Sequence, residues 1–411
     1  MKYVLMHKKE PVSLLNITTQ GRNAVLKAET VYNKSLIPPG IYNPNGILNM
    51  KNLSIWFFSR GIPATRDGLS EALPLLNAED SHEILLRSHG LSLTDHYWFQ
   101  KPEENLDWSE INFFQNDFSD DIGKALFGKI PKSLNIDFNS PDAASAGNLK
   151  KRWTIHNGIR KLIKGGEGSF FQEPFNEQIA SWVMDRLGLE NTKYTIGWEN
   201  NEPLCICSDF VDINTEFISA TFIANLLKKR NDDSFYEHYI TCCSAYGIDA
   251  RPSLDKMLVA DYIIGNRDRH LNNFGIIRNA DNLQWIKPAP VYDSGASLWS
   301  RQAIPNISSK YEIPCMPFGN NHSDQILLVK TLPSFDLDCL TGIDEFIKST
   351  FSKNPYMPLN VINLIATEVP KRIENLKIIA AQMESGVKLN PQVSKNFYKS
   401  SHDRDYQKRP Y

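Results

Sequence analysis

At 411 residues the chain is too long for one small core and suits two or three units of ordinary size. Hydrophobic residues make up 41% and charged residues 22%, the balance of a globular protein and not of a disordered or fibrous one. A formal net charge of -2 gives no field-driven attraction to nucleic acid or anionic lipid, and no run of about 18 apolar residues suggests a membrane span.

The stretch from Met1 to Lys9 has too short an apolar core for a secretory signal. The six cysteines, at positions 205, 207, 242, 243, 315 and 339, contain no CxxC pair, so a zinc ribbon is unsupported. Cys205 and Cys207 alternate along one strand and are expected as buried thiols on one face, in keeping with a reducing cytoplasm.

Residues 1–128 read as a mixed α/β unit. Tyr3 to Met6 and Val12 to Leu15 are strand-like, Leu53 to Phe58 is a third strand candidate, and Glu79 to Gly90 is expected to be helical. Trp98, Trp108, Phe113, Phe114 and Phe118 are expected as packing aromatics, and Arg60, Arg66 and Asp67 as structural ion-pair residues.

Residues 129–212 carry sharper signals. Asn157-Gly158 sits between the alternating runs Arg152 to His156 and Ile159 to Ile163, the strongest short hairpin signal a sequence offers. Pro174 opens a helix with Phe175, Ile179 and Val183 on one face and Gly188 as its cap. Tyr194 to Trp198 and Leu204 to Cys207 form a second hairpin. An antiparallel sheet with one packed helix follows from that order.

Residues 213–386 turn mainly helical, with apolar periodicity over Glu216 to Lys229, Ser234 to Tyr246 and Ser253 to Ile264. One hairpin interrupts them, from Asn273 through a turn at Asn279 to Asn282 and on towards Asp293. Its open end brings Asn273 and Asp293 together, and Pro288 and Pro290 mark the returning strand as an edge. Residues 387–411 lose periodicity and read as a polar, frayed tail.

The chemistry concentrates in Gly265-Asn266-Arg267-Asp268-Arg269-His270-Leu271-Asn272-Asn273-Phe274. An aspartate five residues before an asparagine, in a loop after an apolar helix, is the spacing that kinase-type phosphoryl transfer needs. The aspartate takes the proton of the attacking hydroxyl and the asparagine holds a magnesium ion. Asp293 is placed as a second oxygen ligand for that hard ion. Lys164 ends a central strand and is a candidate to neutralise nucleotide phosphates, with Glu177 on the next helix to hold it by a charge-assisted bond. Each position also has an ordinary structural role, because Asp and Asn favour turns and lysines often end strands. His270 is read as donating a hydrogen bond within its own loop and not as an acid or base. The five positions gain meaning from falling in the right order on the right elements.

These residues, together with Leu162-Ile163-Lys164, Pro174-Phe175-Asn176-Glu177 and Val291-Tyr292-Asp293, resemble the HipA-like kinases over about residues 140 to 329. The resemblance implies an α+β fold, a two-lobed protein-kinase-like catalytic domain with a β-rich small lobe and a helical large lobe, preceded by a small α/β domain. It implies ATP and magnesium as cofactors, Lys164 as the ATP lysine, Asp268 as the catalytic aspartate, and Asn273 and Asp293 as metal ligands. The loop Pro141 to Lys150 corresponds to the family's phosphate loop, with Ser145 and Gly147 as its candidate residues. A protein substrate with a Ser or Thr acceptor and an antitoxin partner are implied as well. No helix-turn-helix or basic reading surface is evident, so direct contact with nucleic acid is not expected. A lipid or small-molecule kinase on the same scaffold and a non-catalytic nucleotide-binding regulator are the rival readings.

Overall fold

The computed structural model describes residues 1–20, 23–43, 45–127, 136–145 and 147–387. The junction at Gly128 and the tail beyond Val387 lie outside the described residues.

The chain opens with an antiparallel sheet of β1 (Lys2–His7), β2 (Glu10–Gln20), β3 (Asn23–Val31) and, later, β4 (Tyr97–Gln100), in the order β3-β2-β1-β4. Helix α1 (Met50–Arg60) packs on it and occupies the stretch where a third strand was expected. The Asn49 side chain accepts the Asn52 N–H and caps this helix, and Leu53, Trp56, Phe57 and Arg60 recur at helical spacing on its buried face. Five apolar residues among the six from Leu53 to Phe58 fit either element; the cap and the longer period decide for helix. Short helices α2 (Leu69–Leu75), α3 (Ser81–Arg87), α4 (Trp108–Ile111) and α5 (Asp121–Leu126) complete this part. Helix α3 agrees with expectation, and Trp98, Trp108 and Phe113 are buried together with Trp153, with Phe114 and Phe118 packed against them.

The next sheet, in the order β5-β6-β8-β7, comprises β5 (Lys151–His156), β6 (Ile159–Gly165), β7 (Thr195–Glu199) and β8 (Glu202–Ser208). Between β5 and β6, Asn157 and Gly158 take φ of 52° and 76°, the left-handed pair that a two-residue hairpin turn requires. Register then sets Lys151 opposite Lys164, and Lys164 opposite Cys205. Helix α6 (Glu173–Arg186) lies between the two hairpins, with Pro174 in its first turn. Cys205 and Cys207 are buried free thiols, as expected.

The helical part begins with a strand. Thr215–Ser219 is β9 and only Ala220–Ile223 is helical (α7), so the helix expected over Glu216 to Lys229 is replaced. The cause is long-range: β9 pairs with β10 (Gly275–Asn279), whose other neighbour is the edge strand β11 (Trp285–Pro288). Glu216 is buried there, against Arg278 on β10 and 3.0 Å from His7 on β1. Arg278 also reaches the hydroxyl of Tyr97 on β4 at 3.0 Å. This cluster joins the N-terminal sheet to the helical part. Helices α8 (Phe235–Ser244), α9 (Arg251–Ile264), α10 (His322–Ile326), α11 (Ile343–Phe351) and α12 (Leu359–Glu384) follow, sharing one apolar core with α6. None of the described helices is long and apolar enough to cross a membrane.

Candidate active site

Helix α9 stops at Gly265, which takes φ of 65° and lets the chain turn sharply into Asn266 to Asn273. The loop is then fixed from within. Asn266 bonds Asp261 at 2.9 Å and accepts the Asp268 N–H at 3.1 Å, and the Asn273 amide donates to the Asp268 carbonyl oxygen at 3.0 Å. With its nitrogen so engaged, the side-chain oxygen of Asn273 is the atom left for a cation. His270 does bond within its own loop, but as an acceptor of the Asn272 N–H at 3.2 Å through Nδ1 and not as the donor expected.

Arg269 organises what surrounds this loop. Its guanidinium is buried against Asp261 at 2.9 Å and donates to the backbone oxygens of Asn273 and Tyr292 and to Ser294 Oγ. Residues 273 and 292 are thereby held around one group, which places Asp293 beside the loop. Asp293 itself takes φ of 59°, a backbone state uncommon outside glycine and concentrated at functional sites.

Lys164 lies at the meeting point. Its ammonium is 2.7 Å from Asp293 Oδ1 and 3.0 Å from Glu177 Oε1, and stands over the Tyr194 ring. Glu177 also accepts the Ser294 N–H at 2.8 Å, so it orients both the lysine and the segment after Asp293. Burial opposes the charge on Lys164, but Asp293 and Glu177 outweigh it and hold its pKa well above the ordinary lysine range. Burial likewise opposes the Asp293 carboxylate, and Lys164 and Lys151 together pull it well below the carboxylate range. Lys164, Glu177 and Asp293 therefore meet, and Asp268 and Asn273 are tied to each other on the adjoining loop.

Lys151 was missed by the sequence reading. It is buried opposite Lys164, and its side chain makes no hydrogen bond or ion pair among the described residues. Burial pushes its ammonium down to about 7 despite the pull of Asp293. The signal was available, since counting back equally from Asn157-Gly158 sets Lys151 against Lys164.

Ser145 and Gly147 are placed differently from each other. Gly147, at φ 92°, lies so close to Lys151 that a Cβ there would sit 2.5 Å from its Nζ. Ser145 is buried, its hydroxyl donating to the Asp142 carbonyl oxygen at 2.9 Å and accepting from Arg66 at 2.7 Å. Arg66 thus holds this loop in place of the carboxylate partner expected of it, whereas Arg60 does pair with Asp95 at 2.5 Å.

The donor set fits a magnesium ion in kind: one carboxylate and one amide oxygen, the hard ligands such an ion takes beside substrate phosphates and water. Groups of three or more His, Cys, Asp or Glu side chains placed to hold a metal are absent among the described residues.

No protein-family model matches the chain. The serine/threonine-protein kinase CtkA of Helicobacter pylori is 28% identical over 145 residues, which are 32% of this chain and 43% of that protein. The chain thus matches less than half the length of this relative. The crystal structure of the H. pylori proinflammatory kinase CtkA aligns with 57% of this chain and 95% of its own, at a TM-score of 0.44 and 19% identity. A chain of the Shewanella oneidensis MR-1 toxin–antitoxin complex of HipA, HipB and operator DNA aligns with 94% of this chain and 100% of its own, at a TM-score of 0.57 and 12% identity. The fold is that of the HipA-like kinases. This HipA-like fold includes the N-terminal sheet as well as the two lobes, since the alignment runs over nearly the whole chain.

Proposed function

We propose that this chain is an ATP- and magnesium-dependent serine/threonine kinase of the HipA-like type, moving the γ-phosphoryl group of ATP to a hydroxyl on a protein. The observation that carries the reading is the Lys164 ammonium held between Asp293 at 2.7 Å and Glu177 at 3.0 Å. The curated relative named as a serine/threonine kinase supports the same class.

In this reading Lys164, oriented by Glu177, neutralises phosphate charge, and Lys151 adds a second cation on the same side. Asp268 accepts the proton of the acceptor hydroxyl as its oxygen bonds to phosphorus and the bridging bond to the ADP leaving group breaks. Asn273 and Asp293 would hold magnesium, which supplies charge neutralisation at the phosphates when bound. Modification of Ser145 by the enzyme itself requires the loop to leave Arg66 first, since the hydroxyl is buried.

The proposed division is an N-terminal domain at 1–128, a small lobe at 129–212 and a helical lobe at 213–386. The HipA chain in the Shewanella complex is found with HipB and operator DNA; an antitoxin-like protein partner, without direct DNA contact by this chain, is the corresponding proposal here, and the cytoplasm the proposed compartment.

The deciding experiment incubates the purified protein and a bacterial lysate with γ-labelled ATP and magnesium. Label on serine or threonine that is lost in Asp268→Asn supports the reading. ATP binding without transfer points to the non-catalytic regulator, and label on lipid or metabolite alone moves the acceptor to another class.

A further inference from the structure

Outside the cleft, the segment Thr65 to Asp67 of the N-terminal part reaches across to the phosphate-loop region. The Arg66 Nε donates to the Gly147 carbonyl at 2.8 Å, Nη1 to the Ser145 hydroxyl at 2.7 Å, and Nη2 to the Ser145 carbonyl. Thr65 Oγ1 donates to Asn148 Oδ1 at 2.9 Å, and the Asp67 N–H to the Asn148 carbonyl at 3.3 Å. Arg66 is 3% exposed, and none of its hydrogen bonds among the described residues goes to a carboxylate.

A buried guanidinium is costly to desolvate, and one kept only to anchor a fold is ordinarily paired with an acid. Here every hydrogen bond of the fork goes to one short stretch of loop, and the buried Asp142 acts on it through charge alone. That stretch is the one whose Gly147 lies against Lys151, and Lys151 faces Lys164 across the hairpin while both act on Asp293. Arg66 thus reaches the cleft through this loop, and its charge also bears directly on Lys151.

We propose that Arg66, from the N-terminal part, is a positioning residue for phosphoryl transfer: its guanidinium holds Ser145 and Gly147, and so keeps Gly147 against Lys151 beside the charges of the cleft. The inference rests on the kinase reading. It assigns the N-terminal part a share in nucleotide binding, through a residue that does not touch nucleotide. Arg66→Lys keeps the charge and loses the fork, so it should behave like a weaker clamp and not like wild type.

The test has two arms. In the first, amide hydrogen exchange over residues 143–151 is followed without nucleotide in wild type and Arg66→Ala, with the melting temperature measured alongside. Faster exchange confined to this loop and the segment facing it, in a variant that still melts cooperatively, is expected. In the second, the KM for ATP should rise at least about tenfold, the equivalent of one charge-assisted hydrogen bond, while kcat changes less than about threefold. Low-millimolar guanidinium, far below denaturing concentrations, should restore part of the loss in Arg66→Ala and none in Asp268→Asn. Unchanged exchange in the loop, or an unchanged KM in a folded variant with unaltered kcat, overturns the proposal. Wild type that binds no ATP while the loop still loosens in the variant overturns the kinase reading and the positioning role with it, and leaves the clamp as architecture.

Discussion

Arg269 and Asp261 form an ion pair at 2.9 Å with neither side chain exposed to solvent. The same guanidinium bonds the backbone at Asn273 and Tyr292, so one buried cation spaces the two residues proposed to hold the metal. Arg269→Leu should destabilise the protein by about 3–5 kcal/mol, because Asp261 is then left charged and buried without its partner. Urea unfolding measures this. A loss below about 1 kcal/mol would show that the loop has another support.

Lys164→Met should weaken ATP binding at least about tenfold, since the phosphate charge loses a direct counter-ion. Glu177→Gln should cost less, as it leaves the lysine in place and loosens only its orientation and the bond to Ser294. Calorimetry with magnesium-ATP gives both numbers, and the reverse ranking would reassign the two residues.

Asp268→Asn should leave ATP affinity within about threefold and reduce turnover by about 100-fold or more, the usual worth of a general base. A radiolabel assay beside the binding measurement separates the two effects. Substantial residual turnover would remove Asp268 from the chemistry.

Lys151 carries a pH signature. Its folded pKa of about 7 lies below the roughly 10.4 of an unfolded lysine, so between those values the unfolded chain holds a proton that the folded chain has released. Stability from this group therefore rises with pH across that window. Lys151→Met should be more stable than wild type at pH 7, with the advantage shrinking towards pH 10. A constant difference at every pH would mean that Lys151 is not desolvated.

Glu216 gives the opposite signature at low pH. Burial disfavours its charge, but Arg278 and His7 outweigh that and hold its pKa at about 2, below the roughly 4.3 of an unfolded glutamate. The stability it contributes is present above pH 4.3 and is lost as pH falls towards 2. Acid unfolding of Glu216→Gln should lack that component; an identical acid slope would contradict it.

Local structure was legible in the sequence where a turn enforces it. Asn157-Gly158 fixed the hairpin, and with it the position of Lys164. The order of Lys164, Glu177 and Asp293 pointed to three side chains that the fold brings into contact, and Asp268 and Asn273 to one loop beside them. Most of what escaped depended on partners far along the chain, and one miss on a local cap. Glu216 looked like the start of a helix because nothing near it reveals Arg278 or His7. Leu53 to Phe58 looked like a strand until Asn49 is given weight as a cap. Arg66 looked like an ion-pair residue because a guanidinium spent on a loop backbone leaves no mark in composition.

Glu216 draws its partners from both sides of the molecule, the His7 ring from the first strand and the Arg278 guanidinium from the hairpin beside it. The consequence is one of inheritance. A gene fragment that starts at the small lobe encodes a buried carboxylate one partner short, and a chimera that joins the N-terminal sheet of one homologue to the lobes of another must carry residues 7, 97, 216 and 278 as a set.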